Sequence, residues 1–423
     1  MRKLFALLTI VAAVALGFTS CKKDESKSDN PTHPNTNASS LTPSEHQEKL
    51  EDIALDFINE FNAADVEPLA ESVLTLFDYL SFSSDYNEVY PMMAQLGEGV
   101  RKFSADEIEA FATRFYETIV IDINDPEFNP FVGMCMEYDG EEWIVTEISD
   151  NEMQFIWDNA VATAVWEKCV EQSVIIDDVE FVALVPEKVR FDIKLDGKEH
   201  FALDIDDKIA GVDNLSLDFE VRINGGYRLL NATEVTTNGL TLTSNFSKGN
   251  KMLLSSSVNV SLKPGNDPWI EELLEAWFED MDGMFDTLDS VNFTNAAIQL
   301  DIETLRVIAT GDLTNLFDTL ADYAERYDME GKEYCEKVCK LINDKLAVAL
   351  YYSDTNEKVA DVVMEVVSNE FSYDNIYYFS EPVLVFPDGS KFAFDEYFNE
   401  QAFGNAIESL FELMNDCYEL LDY

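Results

Sequence analysis

The chain has 423 residues, 47% of them hydrophobic and 12% aromatic, enough apolar material for one large or two moderate cores, so a disordered chain is excluded. Against 83 Asp and Glu stand 28 Lys and Arg, a formal net charge of −55. That excess repels phosphate backbones and anionic headgroups, which argues against nucleic acid as a partner; self-repulsion that keeps the chain soluble accounts for it without a specific ligand.

In chain order, residues 1–20 read as a signal peptide: Arg2 and Lys3 are a positive start, Leu4 to Phe18 is an apolar run broken by Gly17, and Thr19 and Ser20 are small. A spanning helix needs about 20 apolar residues, more than this run offers. With Cys21 next, the stretch resembles the leader of bacterial lipoproteins, although Phe18 stands where that family usually has Leu. The resemblance implies cleavage before Cys21 and lipid on that residue. Lys22-Lys23-Asp24-Glu25-Ser26 then resembles the Lys-acid-acid signal of lipoproteins of the Bacteroidota, which implies export to the outer face of the outer membrane through Lys23, Asp24 and Glu25. A charged, solvated start to a linker is the alternative for these residues.

Residues 21–41, mostly Ser, Asn, Thr, Pro and charge after the signal, are predicted to be a flexible tether. Residues 42–122 are predicted to be helical. Thr42-Pro43-Ser44-Glu45 is a capping box with proline at the first helical position, followed by Leu50, Ile53, Phe57, Ile58 and Phe61 at helical spacing. A second helix carries Leu69, Val73, Leu76, Phe77 and Leu80, and a third, opened by Ser104-Ala105-Asp106-Glu107, carries Ile108, Phe111, Phe115 and Ile119.

Over residues 123–265 the period changes to two, predicting an antiparallel meander with one apolar and one polar face. Its turns are Asp139-Gly140, Asp196-Gly197 and Asn224-Gly225-Gly226, the dipeptides that favour hairpins. Residues 158–172 fit strand and helix equally. The predicted inner residues include Phe191, Phe219, Val221 and Leu254, with Met252 in phase with Leu254. Residues 266–423 form a predicted α+β region packing on the sheet: a covering helix from Asp267-Pro268 with Trp269, Leu273, Trp277, Met281 and Leu288 inward, helices over 314–327 and 331–344, strands over 346–352 and 359–367, a hairpin at Pro387-Asp388-Gly389 and a last helix. The fold class is thus α+β, a helix-covered antiparallel sheet with an N-terminal helical group. Phe386-Pro387-Asp388-Gly389-Ser390, Glu396-Tyr397-Phe398-Asn399-Glu400 and Phe403 resemble the C-terminal end of uncharacterised lipoproteins of the Bacteroidota, a group that supplies no functional residues to carry over.

The chemistry-bearing residues are few in kind. Of three histidines, His33 and His46 fall in or near the tether, and His200 reads as an exposed residue on a strand's polar face. Zinc sites and Ser-His-Asp or Cys-His arrangements therefore lack members, and phosphate-cradling glycine loops are absent. Candidate calcium ligands are Asp204, Asp206, Asp207 and Asp213, or Asp280, Asp282 and Asp289, with solvated acidic loops as the stronger reading. No acid pair stands out for glycoside hydrolysis. Tyr373, Tyr377, Tyr378 and Phe379 are either a sugar-stacking platform or buried strand residues, burial being favoured. Asp286-Thr287-Leu288, Asp289-Ser290-Val291 and Asp318-Thr319-Leu320 resemble acceptors for O-glycosylation in the Bacteroidota.

The five cysteines after Cys21 are odd in number, which predicts mostly free thiols, with Cys335 and Cys339 on one apolar helix face. No cofactor, metal site or catalytic residue is predicted. The chain reads as a lipid-anchored lipoprotein of the outer membrane, exposed on the cell surface, that binds a glycan, an apolar ligand or a protein without catalysis. A carboxylate-based hydrolase and a structural surface component are the alternatives.

Overall fold

A computed structural model describes residues 33–34, 37–82, 118–122, 132–176, 179–209, 214–263, 293–327, 331–370, 376–399 and 401–419. The signal peptide, Cys21, Lys23, Asp24, Glu25, Ile108, Phe111, Phe115 and the covering helix predicted from Asp267 lie outside the described residues. The chain divides into two compact units, one of Met1–Asn62 with Arg228–Cys417, the other of Ala63–Tyr227 with Tyr418–Tyr423. The division falls within the stretch predicted as a single meander.

The fold is β-rich, with seventeen strands and six α-helices among the described residues. In the first unit, helix α1 (Pro43–Ile58) begins as its sequence dictates: the Thr42 hydroxyl accepts from the Glu45 backbone N–H at 3.4 Å, and the Glu45 carboxylate accepts from the Thr42 N–H at 2.7 Å. In the second unit, α2 (Glu67–Phe82) lays Leu69, Val73, Leu76 and Tyr79 against a core of Trp157, Ala160, Ala162, Ile193 and Leu195. The Trp157 indole donates to the Ser72 carbonyl at 2.9 Å, so the buried ring keeps a partner for its polar atom.

The strands of the second unit are β1 (Thr118–Asp122), β2 (Met134–Tyr138), β3 (Trp143–Glu147), β4 (Glu152–Trp157), β5 (Ala160–Ile176), β6 (Val179–Leu195), β7 (Lys198–Ile209) and β8 (Asn214–Ile223). Strands β4 to β8 pair antiparallel in succession, β2 pairs antiparallel with β3 and parallel with β4, and β1 runs parallel to β6. Ile119 is therefore in a strand and not on a helix: Thr118 to Ile121 is a β-branched run, stiff at χ1 and suited to extended backbone. The ambiguous segment 158–172 is mainly β5, where Ala160, Ala162, Ala164 and Trp166 are buried at a period of two. Asp196 and Gly197 both hold positive φ (50° and 74°), the geometry that lets a two-residue turn match the twist of β6 and β7.

The first unit continues with β9 (Tyr227–Thr236), β10 (Gly239–Lys248), β11 (Lys251–Leu262), β12 (Phe293–Ile302), β13 (Leu305–Asp312), α3 (Leu316–Arg326), α4 (Lys332–Lys345), β14 (Leu346–Tyr352), β15 (Lys358–Glu370), β16 (Ile376–Val385), β17 (Lys391–Ala393), α5 (Phe394–Tyr397) and α6 (Gly404–Glu419). Its strands from β10 to β17 pair antiparallel in chain order. Leu50 and Ile53 of α1 bury against Leu350, Tyr352, Val359, Leu384, Phe386 and Tyr397. Tyr334, Cys335, Val338, Cys339 and Ile342 of α4 enclose Met364 of β15, and the Asn343 side chain bonds both backbone groups of Met364 at 2.8 Å. Helices thus lie on limited stretches of strand, and the full helical cover expected of an α+β fold is not part of what the described residues show.

Two local expectations change. Leu253, not Leu254, is the fully buried residue of β11, and Met252 is 48% exposed. A bulge beside Phe246 and Ser247 shifts the register there, and one residue of slip moves side chains to the other face. The predicted tether, in turn, is docked at its far end: Ala38 bridges Lys358 in parallel, the Ser39 N–H donates to the Lys358 carbonyl at 2.9 Å, and His33 shares hydrogen bonds with Tyr351 at 2.9 Å and Thr310 at 3.1 Å.

Candidate functional site

The polar face of β6, β7 and β8 carries a charge ladder that alternation and register build directly. Arg190 lies opposite Asp204, and Asp204 opposite Glu220, so side chains of both signs stand on neighbouring strands. Arg190 donates to Asp204 at 3.2 Å, to Glu199 at 2.7 Å and to Asp192 at 3.2 Å; Arg222 donates to Asp204 at 2.8 Å and Glu199 at 3.0 Å and pairs with Glu220 at 3.1 Å. Lys194 reaches Asp192 at 2.7 Å, and Lys188 reaches Asp206 at 3.4 Å. Burial opposes the charge on Arg222, but hydrogen bonds with Glu199, Asp204 and Glu220 outweigh it and raise the pKa. The same balance holds at Arg190, where bonding to Asp192 and the charge of Asp204 act against burial.

This ladder takes up the first candidate calcium group. Asp204 is occupied by two guanidinium groups and Asp206 by an ammonium, Asp207 sits opposite Leu217, and Asp213 lies outside the described residues, as do Asp280, Asp282 and Asp289. Among the described residues no cluster of three His, Cys, Asp or Glu is placed to hold a metal. Arg190 and Arg222 were the residues a search for acids passes over; their signal was their own place in the alternation, in phase with Asp192 and Asp204.

The histidines are more enclosed than their positions suggest. His46 is fully buried in α1, sharing a hydrogen bond of 2.7 Å with Tyr352 and stacking on Phe386 at 5.7 Å, and its Nε2 has no partner among the described residues. Burial first, and the nearby Lys49 second, hold its pKa below the usual range. Burial likewise raises the Tyr352 and Tyr397 phenols. His200 is half-buried with its Nδ1 buried, because a bulge between Ile193 and Lys194 leaves it out of register. Cys135, Cys335 and Cys339 are buried free thiols, and Cys169 is half-buried. Of the aromatic run, Tyr378 packs beside the α4 cluster, Phe379 is 42% exposed, and Tyr373 lies outside the described residues. Thr319, in α3, donates its hydroxyl to the Asn315 carbonyl at 2.6 Å.

The second feature is an open sheet edge. β3 is bonded to β2 along one side, and among the described residues no strand pairs with its other side. The Ile148 N–H donates to the Gly133 carbonyl, so even-numbered residues direct their backbone groups to β2 and Trp143, Val145 and Glu147 direct theirs outward. Ile144 and Val145 are 44% and 53% exposed, one on each face of the strand. Glu137, Asp139, Glu141, Glu142, Glu147, Asp150 and Glu152 belong to this hairpin and its neighbours, and the sequence has no Lys or Arg between Arg114 and Lys168.

No protein-family model matches the chain, and no curated protein matches it. Among solved structures, a porin-like protein from Bacteroides vulgatus ATCC 8482 aligns with 62% of this chain and 95% of its own, at 7% identity and a TM-score of 0.16. A superposition of that quality transfers neither fold nor function. Among the described residues no helix is long and apolar enough to cross a membrane.

Proposed function

We propose that the protein is a lipid-anchored surface lipoprotein of a Gram-negative outer membrane that binds another protein without catalysis. The observation that carries the binding part is the open edge of β3, where two apolar side chains and a row of outward backbone groups stand uncovered among the described residues. A glycan platform is less supported, since the aromatic run contributes a single strongly exposed ring, Phe379, among the described residues. A carboxylate hydrolase is less supported as well, because the acids gathered on β6–β8 are held by Arg190 and Arg222 and so lack the free acid and base that glycoside cleavage needs. The anchor and address rest on the resemblance at Cys21 and at Lys23, Asp24 and Glu25.

Placing a photo-crosslinking residue at Val145 in intact cells tests the binding reading. Adducts with a second protein are expected there, and a yield no higher than at exposed Met252 would overturn it. Cys21→Ser is expected to abolish acylation and outer-membrane retention, and alanine at Lys23, Asp24 and Glu25 to leave an acylated protein hidden from added protease. Shaving of that triple variant as fast as the parent would reduce the charges to linker.

A further inference from the structure

A sheet edge with unpaired backbone groups is a template for another strand, and proteins blunt such edges with lysine, proline, bulges or a covering element. β3 has none of the first three: its sequence is Trp-Ile-Val-Thr-Glu, and its pairing with β2 runs in register from Trp143 to Glu147. The charged residues next to it in sequence, from Arg114 to Lys168 exclusive, are all acids. Glu141 and Glu142 lead into the strand, Glu147 ends it, and Glu137 lies opposite Ile144 on β2. Edge-to-edge pairing of two copies would set these acids against one another, so a second copy is the occupant they exclude.

We propose that the open edge of β3 is a docking site for an extended segment of a partner protein that carries Lys or Arg between apolar residues, added as a further strand. This rests on the protein-binding reading above and names its partner class. The outward N–H and C=O groups of Trp143, Val145 and Glu147 supply the ladder, which gives affinity without sequence preference. Selectivity comes from the side chains. Ile144 and Val145 offer an apolar contact on each face, and Glu141, Glu142 and Glu147 receive the cations at both ends of the strand. Because these acids are solvent-facing, their share of binding falls as salt screens them over about 8 Å at physiological ionic strength.

The test uses the full chain with Cys21→Ser and three fluorescein-labelled octapeptides: alternating Lys and Val, alternating Glu and Val, and the Lys-Val peptide N-methylated at alternate amides so that it cannot pair. The unmodified basic peptide is expected to bind at least tenfold more tightly than either other, and to protect the Val145 amide from hydrogen exchange. Val145→Pro removes one outward N–H while leaving the β2 ladder, which runs through Ile144 and Thr146, and is expected to weaken binding at least tenfold at unchanged melting temperature. Glu141→Gln, Glu142→Gln and Glu147→Gln together should weaken it and flatten its salt dependence. Equal binding of the methylated peptide, or binding with no protection at Val145, would mean charge attraction without strand addition and would overturn the proposal. Absence of binding would overturn it too. Crosslinking at Val145 in cells alongside either result would leave the protein-binding reading standing and the partner class wrong.

Discussion

Strands β14 and β3 show how little a strand's own letters decide. Both are apolar and rich in β-branched or aromatic residues, yet Ala349, Leu350, Tyr351 and Tyr352 are all buried, whereas four of the five residues of β3 are exposed. β14 has β13 on one edge and β15 on the other, with Leu350 and Tyr352 in the core that α1 joins on one face and His33 bonded to Tyr351 on the opposite one. β3 has one neighbour, β2, among the described residues. Burial here is a property of position in the ladder, and a run such as Trp-Ile-Val reads the same at the centre and at the rim.

The contrast can be broken most severely at the buried end. Tyr352→Ala removes a fully buried ring from the α1 core and is expected to cost about 3–5 kcal/mol in urea unfolding, a loss that an exposed ring would not give. Second, Arg222→Ala leaves Glu199, Asp204 and Glu220 facing one another on β7 and β8; we expect a loss of about 1–2 kcal/mol, recovered in part when Asp204→Asn is added. Third, the His46 pKa is depressed in the folded protein, so its contribution to stability is fully present well above pH 6.5 and is lost as pH falls, when the unfolded chain takes a proton that the folded one refuses. Between pH 7 and pH 5.5 the parent should lose stability relative to His46→Asn with a limiting slope of about 1.4 kcal/mol per pH unit; parallel curves would contradict the burial. Smallest of all, Val145→Thr at the open edge should change stability by no more than about 0.5 kcal/mol, and a large loss would mean that this edge is covered.

Where physics is local the sequence was a sufficient guide. The capping box at Thr42, the Asp196-Gly197 turn, the alternation that places Phe191 and Ile193 inward, and the i, i+4 pair Cys335 and Cys339 under α4 all follow from contacts a few residues long. β9, β12 and β13 went unread because Asn231, Thr233, Asn295, Gln299 and Arg306 interrupt their apolar period, and pairing with flanking strands, not pattern, makes them strands. Leu254 and His200 were misplaced for a related reason: a bulge changes which face a side chain meets, and nothing in the residues themselves marks it. The charge ladder was half legible, its acids visible but its arginines passed over, because a count of carboxylates without strand register does not show which cation faces which anion. The open edge of β3 was not legible at all, since which side of a strand lacks a neighbour is decided by the rest of the chain.

The docking of His33 on β13 and β14 would make the proposed lipid anchor a short leash. Only twelve positions separate it from Cys21, so however those residues run, an extended backbone of about 3.3–3.6 Å per residue gives them a reach of about 40 Å. With acyl chains on Cys21, as proposed, the strands that hold His33 would lie within that reach of the bilayer, and since the reach spans about five screening lengths of about 8 Å, so acidic a chain can stand clear of anionic headgroups. Cutting the His33 hydrogen bonds to Tyr351 and Thr310 would pay out more line and let the body stand farther off, without altering a single residue of the anchor.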